Sequence, residues 1–289
     1  MDLSDYRSKL KPTWCKGCSF YGILSAITQV LYNKQVDPKN TCVISGIGCS
    51  SRISLYFNTF GMHTLHGRAI PVAVGSRLTR PDIPVIVTAG DGDLFSIGIG
   101  HFVHAARKNF NLTVICMNNR IYAMTKNQAS PTSAQGYPGT LTPYGKISVP
   151  LNVIEFAISC EATFVSRTFC GNQKHMIRTI SSAYDHNGFA FVEIIAPCRT
   201  FSKENSISQL STRMIDINEN HSYNPYDKSS ALTRASHAID YDQDTSVEIP
   251  IGIFWRKNAD TFEENTHYIK NKKTNKDIIN TIFEKYKVC

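Results

Sequence analysis

At 289 residues, 42% hydrophobic and 19% charged, the chain can bury the core of one or two domains and has the composition of a soluble globular enzyme. No apolar run approaches the roughly 20 residues that span a bilayer, and the opening MDLSDYRSKLKPTW has no hydrophobic signal region, so no membrane segment and a cytoplasmic location are expected. The formal net charge of +8 leaves nucleic acid, membrane and acidic protein partners open; the nearest approach to a basic block, residues 270–276, reads as a solvated polar tail, and no nucleic-acid partner is expected.

Nine cysteines in a chain without a signal region argue against a disulfide framework and for metal or catalytic duties at special spacings. The first such spacing is Trp14-Cys15-Lys16-Gly17-Cys18. A CxxC turn can place two thiolates on one metal or cluster, and from these residues alone an iron–sulfur cluster, half a zinc site and a redox pair are comparable readings. Phe20, Ile23, Leu24, Ile27, Val30 and Leu31 then recur at helical spacing. Residues 41–45 are a short β-rich run leading into Gly46-Ile47-Gly48-Cys49-Ser50-Ser51-Arg52, glycines that follow a strand and precede a helix as in phosphate-binding turns. A turn is an unusual place for a structural thiol such as Cys49, whereas Cys42, Cys116 and Cys160 lie in or beside apolar runs and read as core thiols. His63, His66 and Arg68 surround Gly67 ahead of a helix predicted over 71–76, which suits contact with an anion.

The stretch 85–125 organises the rest. The apolar run 85–89 ends in Gly90-Asp91-Gly92-Asp93, and the apolar run 112–117 ends in Asn118-Asn119. Two buried parallel strands would bring these polar ends together at the sheet edge where open α/β sheets bind ligands. The glycines admit a phosphate close to the backbone, and Asp91 and Asn119 offer hard oxygen ligands suited to Mg²⁺. A helix is predicted over 94–109; its His101 and His104 lack a third ligand and read as surface or packing residues. A polar segment rich in Pro and Gly runs to Pro150 as a long loop, of a length that is often functional. Helices over 151–160 and 175–185 and strands over 163–166 and 189–195 follow, the last ending at Pro197-Cys198-Arg199. The alternation implies βαβ units: an α/β fold of three layers, a mostly parallel sheet with helices on both faces, over residues 1–205. Residues 206–289 are polar apart from an apolar island at 249–255 and read as a C-terminal arm ordered against the core or a partner.

GDG, a spacer and NN resemble the thiamine diphosphate-binding motif, in which the equivalents of Asp91, the Asn119 side chain and the Ile121 carbonyl hold Mg²⁺. WCxGC, GIGCSSR, HxxHGRA, GDGD, NNxxYxMTxxQxSPTS and the late Pro-Cys occur together here in the order found in the β subunits of 2-oxoacid:ferredoxin oxidoreductases, and the likeness covers most of the chain. It implies that Cys15, Cys18, Cys49 and Cys198 ligate one [4Fe–4S] cluster. It also implies that Gly48, Cys49, Ser50, His66, Gly67, Arg68, Gly90, Asp91, Gly92, Asp93, Asn119, Ile121, Tyr122, Met124 and Thr125 surround the cofactor. Arg52 would face the substrate carboxylate, a bidentate contact that a guanidinium makes well. The aminopyrimidine-binding half is missing, so the resemblance implies an α subunit that supplies it, with CoA, a 2-oxo acid and ferredoxin as the other partners. GIGCSSR with HGRA looks most like the 2-oxoglutarate branch, with pyruvate and branched-chain acids as alternatives. A cluster-free thiamine diphosphate lyase would need no cysteine quartet. A basic nucleic-acid-binding scaffold with a zinc CxxC would leave GDG and NN unexplained.

Overall fold

A computed structural model describes residues 1–201, 206–219, 222–236, 246–266, 280 and 283–285. The predicted solvated run 270–276 and Cys289 lie outside these residues. The strands are β1 (Cys42–Ser45), β2 (Phe60–His63), β3 (Val85–Ala89), β4 (Leu112–Asn118), β5 (Ile121–Tyr122), β6 (Gln128–Ala129), β7 (Phe164–Phe169), β8 (Phe189–Ile195), β9 (Met214–Asp216) and β10 (Ile249–Arg256). The helices are α1 (Phe20–Asn33), α2 (Ala69–Thr79), α3 (Ile99–Arg107), α4 (Val153–Ser159), α5 (Gln173–Tyr184), α6 (Ile207–Ser211), α7 (Lys228–Ser236) and α8 (Phe262–Asn265).

Eight strands form one sheet in the order β2-β1-β3-β4-β8-β7-β10-β9, with every neighbouring pair parallel except β7 and β10. The apolar runs explain why the sheet is covered on both sides. Val85, Val87 and Ala89 of β3 enter one core while Ile86 enters the other. In β4, Val114 and Cys116 face the first core and Ile115 and Met117 the second. The first core is closed by α2, α3, α4 and α7, the second by α1 and α5. This is the three-layer α/β arrangement expected for strands buried on both faces.

Several local features differ from the sequence reading. The helix predicted over 94–109 opens as a π turn, Asp93–Ile97, and becomes α-helical only at Ile99. Such turns widen a helix locally and are frequent at functional sites. Strand β2 was not anticipated, because all four of its residues are exposed at the sheet edge and show no buried face. The long loop predicted before Pro150 contains the hairpin β5–β6, whose turn holds Lys126 and Asn127 at φ +77° and +78°. Cys116 and Cys160 are buried as expected, but Cys42 is only half-buried, because its strand lies next to the exposed edge. The apolar island after residue 206 is β10, which pairs with β7 and carries β9 at the far edge.

Candidate functional site

The chain leaves β1 toward β2 on one side and leaves the adjacent β3 toward β4 on the other, so the loops after β1 and β3 diverge at the carboxyl edge of the sheet. There they and the loop after β4 enclose a cavity of about 200 Å³. Ile47, Gly48, Cys49 and Ser50 line it from β1, Gly90, Asp91, Gly92 and Asp93 from β3, and Met117, Asn119, Ile121, Tyr122, Ala123, Met124 and Thr125 from β4, with His66 on the rim. The register that sets Ala89 beside Cys116 places the GDGD and NN turns side by side.

Asp91 is 1% exposed, and its Oδ2 accepts from Ser130 Oγ at 2.5 Å and Thr132 Oγ1 at 2.6 Å. Burial pushes its carboxyl up, against the pull of those two hydroxyls. Gly92 is obligatory: a Cβ there would lie 2.3 Å from the Tyr122 ring, whose hydroxyl donates to the Gly92 carbonyl at 3.3 Å. At Gly90 a Cβ would crowd Ser50 Oγ at 3.1 Å, in the floor where a phosphate would approach.

Asp93 turns toward the other wall. Its Oδ1 accepts from the backbone N–H groups of Gly67 at 2.7 Å and Ile47 at 3.3 Å, and meets His66 Nδ1 at 2.7 Å. Its Oδ2 packs against Gly46, where a Cβ would be only 1.6 Å away. Asp93 thus ties the first loop to the HGR turn. Burial raises its carboxyl, opposed first by the Gly67 N–H and then by the His66 charge. Arg68 lies outside the cavity lining: its Nη1 donates to the Gly67 and Ile97 carbonyls and lies 3.2 Å from His101 Nε2.

In the third loop, Asn119 Oδ1 accepts the Ile121 N–H at 3.2 Å, leaving the amide at the cavity wall. Among the described residues no three His, Cys, Asp or Glu side chains are gathered tightly enough to chelate one metal ion. The donor set at this edge is instead one carboxylate, one amide and one main-chain carbonyl. It fits a Mg²⁺ that keeps phosphate oxygens and water in its shell.

The four cysteines of the quartet come from three segments joined by side chains that reach across to a neighbouring backbone. Trp14 Nε1 donates to the Cys49 carbonyl at 2.6 Å, joining the CxxC segment to the first cavity loop. Gly17, at φ +75°, lies against Arg199, whose Nη1 would be 2.3 Å from a Cβ there, joining the same turn to the Cys198 segment. The thiols feel one another: Cys18 is pushed up to about 11, chiefly by burial, with Cys198, Cys49 and Cys15 adding to the rise. Cys49 is raised by burial and by Cys198 and Cys15, while Arg52 pulls it down. Four thiolates are the usual donor set of a [4Fe–4S] cluster, which spreads them over its own width rather than gathering them on one ion. Cys170, given no role by the sequence reading, is pushed up to about 12 by burial beside Ser19 and Cys18. Arg52 is not in the cavity lining; its Nη1 donates to Thr13 Oγ1 at 2.9 Å, and its charge reaches Cys49.

Residues 46–194 match the family described as thiamine pyrophosphate enzyme, C-terminal TPP binding domain, and residues 198–271 match the family of the C-terminal part of the pyruvate ferredoxin oxidoreductase beta subunit. A 2-oxoacid:ferredoxin oxidoreductase subunit beta from Sulfolobus sp is 41% identical over 247 residues, 84% of this chain and 81% of the relative. The chain belongs to the 2-oxoacid:ferredoxin oxidoreductase β subunits. A 2-oxoglutarate synthase subunit KorB from Methanocaldococcus jannaschii is 38% identical over 72% of this β subunit and 77% of its own length. The structure of 2-oxoglutarate:ferredoxin oxidoreductase from Magnetococcus marinus, with 2-oxoglutarate, coenzyme A and succinyl-CoA bound, superposes with a TM-score of 0.88 at 36% identity, covering 98% of this chain and 96% of the other. The first family match contains all three strand-end loops that open on the cavity, and the second begins at Cys198.

Several residues of the β-subunit site escaped the sequence reading. Ile47, Met117 and Ala123 line the cavity without any chemical signal. Ser130 and Thr132 were visible in the SPTS motif, but their grip on Asp91 spans about forty positions and is a tertiary fact. Glu193 did carry a signal, since it is a charge inside an otherwise apolar strand; its partner Arg167, between Ser166 and Thr168, carried less.

Proposed function

We propose that this chain is the thiamine diphosphate-binding, [4Fe–4S]-carrying β subunit of a CoA-dependent 2-oxoglutarate:ferredoxin oxidoreductase. The observation that carries this reading is that GDGD and NN, at the ends of two directly paired strands, open on one cavity whose wall includes Cys49 of the coupled thiol quartet. The overall reaction takes a 2-oxo acid, CoA and two oxidised ferredoxins to the acyl-CoA, CO₂, a proton and two reduced ferredoxins. When bound, thiamine diphosphate supplies the carbon nucleophile and electron sink for decarboxylation, and the cluster accepts single electrons.

The chain's own residues bind and orient. Asp91, the Asn119 side chain and the Ile121 carbonyl hold Mg²⁺, while Gly48, Gly90 and Gly92 let the diphosphate approach the backbone. Ser50, His66, Tyr122, Met124 and Thr125 wall the cofactor, with Gly67, Arg68 and Asp93 fixing the His66 side of that wall. Cys15, Cys18, Cys49 and Cys198 hold the cluster. Arg52 receives the substrate carboxylate, for which its guanidinium would leave Thr13. Residues 1–205 form the cofactor-bearing unit and 206–289 an extension of it. Exposed Ile47 and Met124 line the cavity, which supports as its cover an α subunit with the pyrimidine-binding domain. Eight described cysteines without disulfide partners accord with a cytoplasmic setting, and no helix among the described residues is long and apolar enough to cross a membrane.

The test is to purify the chain anaerobically with its α subunit and supply CoA, ferredoxin and a panel of 2-oxo acids. Reduction of ferredoxin fastest with 2-oxoglutarate, with thiamine diphosphate and about four irons per β chain, is expected. Turnover that needs neither CoA nor iron would overturn it, and preference for pyruvate or a branched-chain acid would overturn the substrate assignment alone.

A further inference from the structure

Arg167 and Glu193 face each other across β7 and β8 and form an ion pair of 2.6 Å, with side chains 4% and 3% exposed. Desolvation offsets most of what such a pair gains, so its stability alone gives no reason for two charges in fully buried strands. The free carboxylate oxygen points elsewhere: Glu193 Oε1 accepts from Asn118 Nδ2 at 2.8 Å. With its NH₂ held there, Asn118 must present Oδ1 to the loop beyond. That oxygen accepts the Arg120 N–H at 3.0 Å and lies 3.1 Å from Thr132 Oγ1.

Both contacts lead to the proposed metal ligands. Arg120 has φ +61°, a conformation unfavourable for a side-chain-bearing residue, and it separates Asn119 from Ile121. Its N–H bond to Asn118 holds that turn open, with the Asn119 amide and Ile121 at the cavity. Thr132 Oγ1 is 2.6 Å from Asp91 Oδ2. The hydroxyl's one proton faces both acceptors, the nearer Asp91 Oδ2 and Asn118 Oδ1, so Asn118 helps set where the hydroxyl stands. The Asp91 arm and the Asn119 arm of the site therefore rest on one amide, and that amide rests on a buried carboxylate.

We infer that Glu193, held by Arg167, is a positioning residue for the Mg²⁺–diphosphate site and acts through Asn118. This rests on the proposed function. Thiamine diphosphate affinity as a function of Mg²⁺ concentration, measured by calorimetry on the enzyme assembled with its α subunit, tests it. Glu193→Gln and Asn118→Leu should each weaken binding roughly tenfold or more, as loss of support to a metal ligand does. The double variant should bind no more weakly than Asn118→Leu alone, and iron content should stay at the wild-type value. If Glu193→Gln fails to fold, the neutral pair Arg167→Met with Glu193→Met replaces it, since well-packed apolar residues restore such sites. That pair should melt at or above the wild-type temperature and still bind weakly. Wild-type affinity in the paired variant, or additive losses in the double variant, would overturn the inference and leave the function standing. A wild-type enzyme that binds no Mg²⁺–thiamine diphosphate would overturn both.

Discussion

The diphosphate cradle and the thiol quartet share Cys49, yet they are built in opposite ways. At the cradle the acidic and amide side chains already have protein partners, with Asp93 Oδ2 left over. Asp91 takes two hydroxyl donors, Asp93 takes two backbone N–H groups and His66, and Asn118 ties the third loop to the ion pair behind it. At the quartet the segments are joined by two side chains lying on a neighbouring backbone, Trp14 on the Cys49 carbonyl and Arg199 on Gly17, while Cys15 is exposed and Cys18, Cys49 and Cys198 are half-buried. Burial pushes Cys18 up to about 11 and raises Cys49 as well, so these two hold their protons at neutral pH, and a metal bound there would take the proton's place. Under the proposed function, one region is preorganised for an anion and its cation, and the other is assembled by what it binds. The two should therefore fail separately.

The largest effect is expected at Asp91. Asp91→Ala removes the only carboxylate of the proposed Mg²⁺ site and should abolish thiamine diphosphate retention in the assembled enzyme while leaving iron content near the wild-type value. Cofactor and metal content measured on the same preparation decide it; unchanged thiamine diphosphate would break the cradle side of the contrast. The converse is Cys198→Ser, which should cost the cluster and electron transfer to ferredoxin but leave thiamine diphosphate bound. Iron intact in that variant would remove Cys198 from the ligand set, and with it the proposed electron path.

Arg52 lies between the two regions and gives a smaller effect. Arg52→Ala should lower kcat/KM for 2-oxo acids by roughly ten- to a thousandfold, mostly through KM, as loss of a charge-assisted carboxylate contact does. Cofactor affinity should hardly move. Normal turnover of every acid tested would return Arg52 to the role its bond with Thr13 already describes, a brace for the N-terminal stretch.

The same contrast explains what was legible in the sequence. Strands β3, β4 and β8 could be bounded within a residue because each is a mainly apolar run buried on both faces and stopped by a turn. The polar ends of β3 and β4 then gave Asp91 and Asn119. Short exposed β2 had no such pattern, and β10 looked like an island because its partners lie far off in sequence. The support of the cradle was not legible for the same reason: Thr132 reaching Asp91 and Glu193 reaching Asn118 join residues 41 and 75 positions apart. The quartet was legible only as four cysteines at characteristic places. The Trp14 and Arg199 contacts that draw their segments together are invisible until the chain is folded.

Trp14 offers the finest cut between the regions. It is 7% exposed and edge-packed on Tyr56, Tyr21 and Phe20 at centroid distances of 4.9, 5.3 and 5.9 Å. Trp14→Phe keeps an aromatic ring in that nest but removes the N–H that holds the Cys49 carbonyl. A neutral hydrogen bond of this kind contributes about 1 kcal/mol, or roughly fivefold in an equilibrium or a rate it controls. Cluster loss to an iron chelator should accelerate by about that factor, because the bond is one of the few that hold the first cavity loop to the CxxC segment. The cradle should not notice, since Gly48 and Ser50 are also positioned through Ile47 and Asp93, on the far side of the loop. If thiamine diphosphate affinity falls in step with cluster retention, Cys49 couples the two sites into one unit, and the separation between a preorganised cradle and an assembled quartet does not hold.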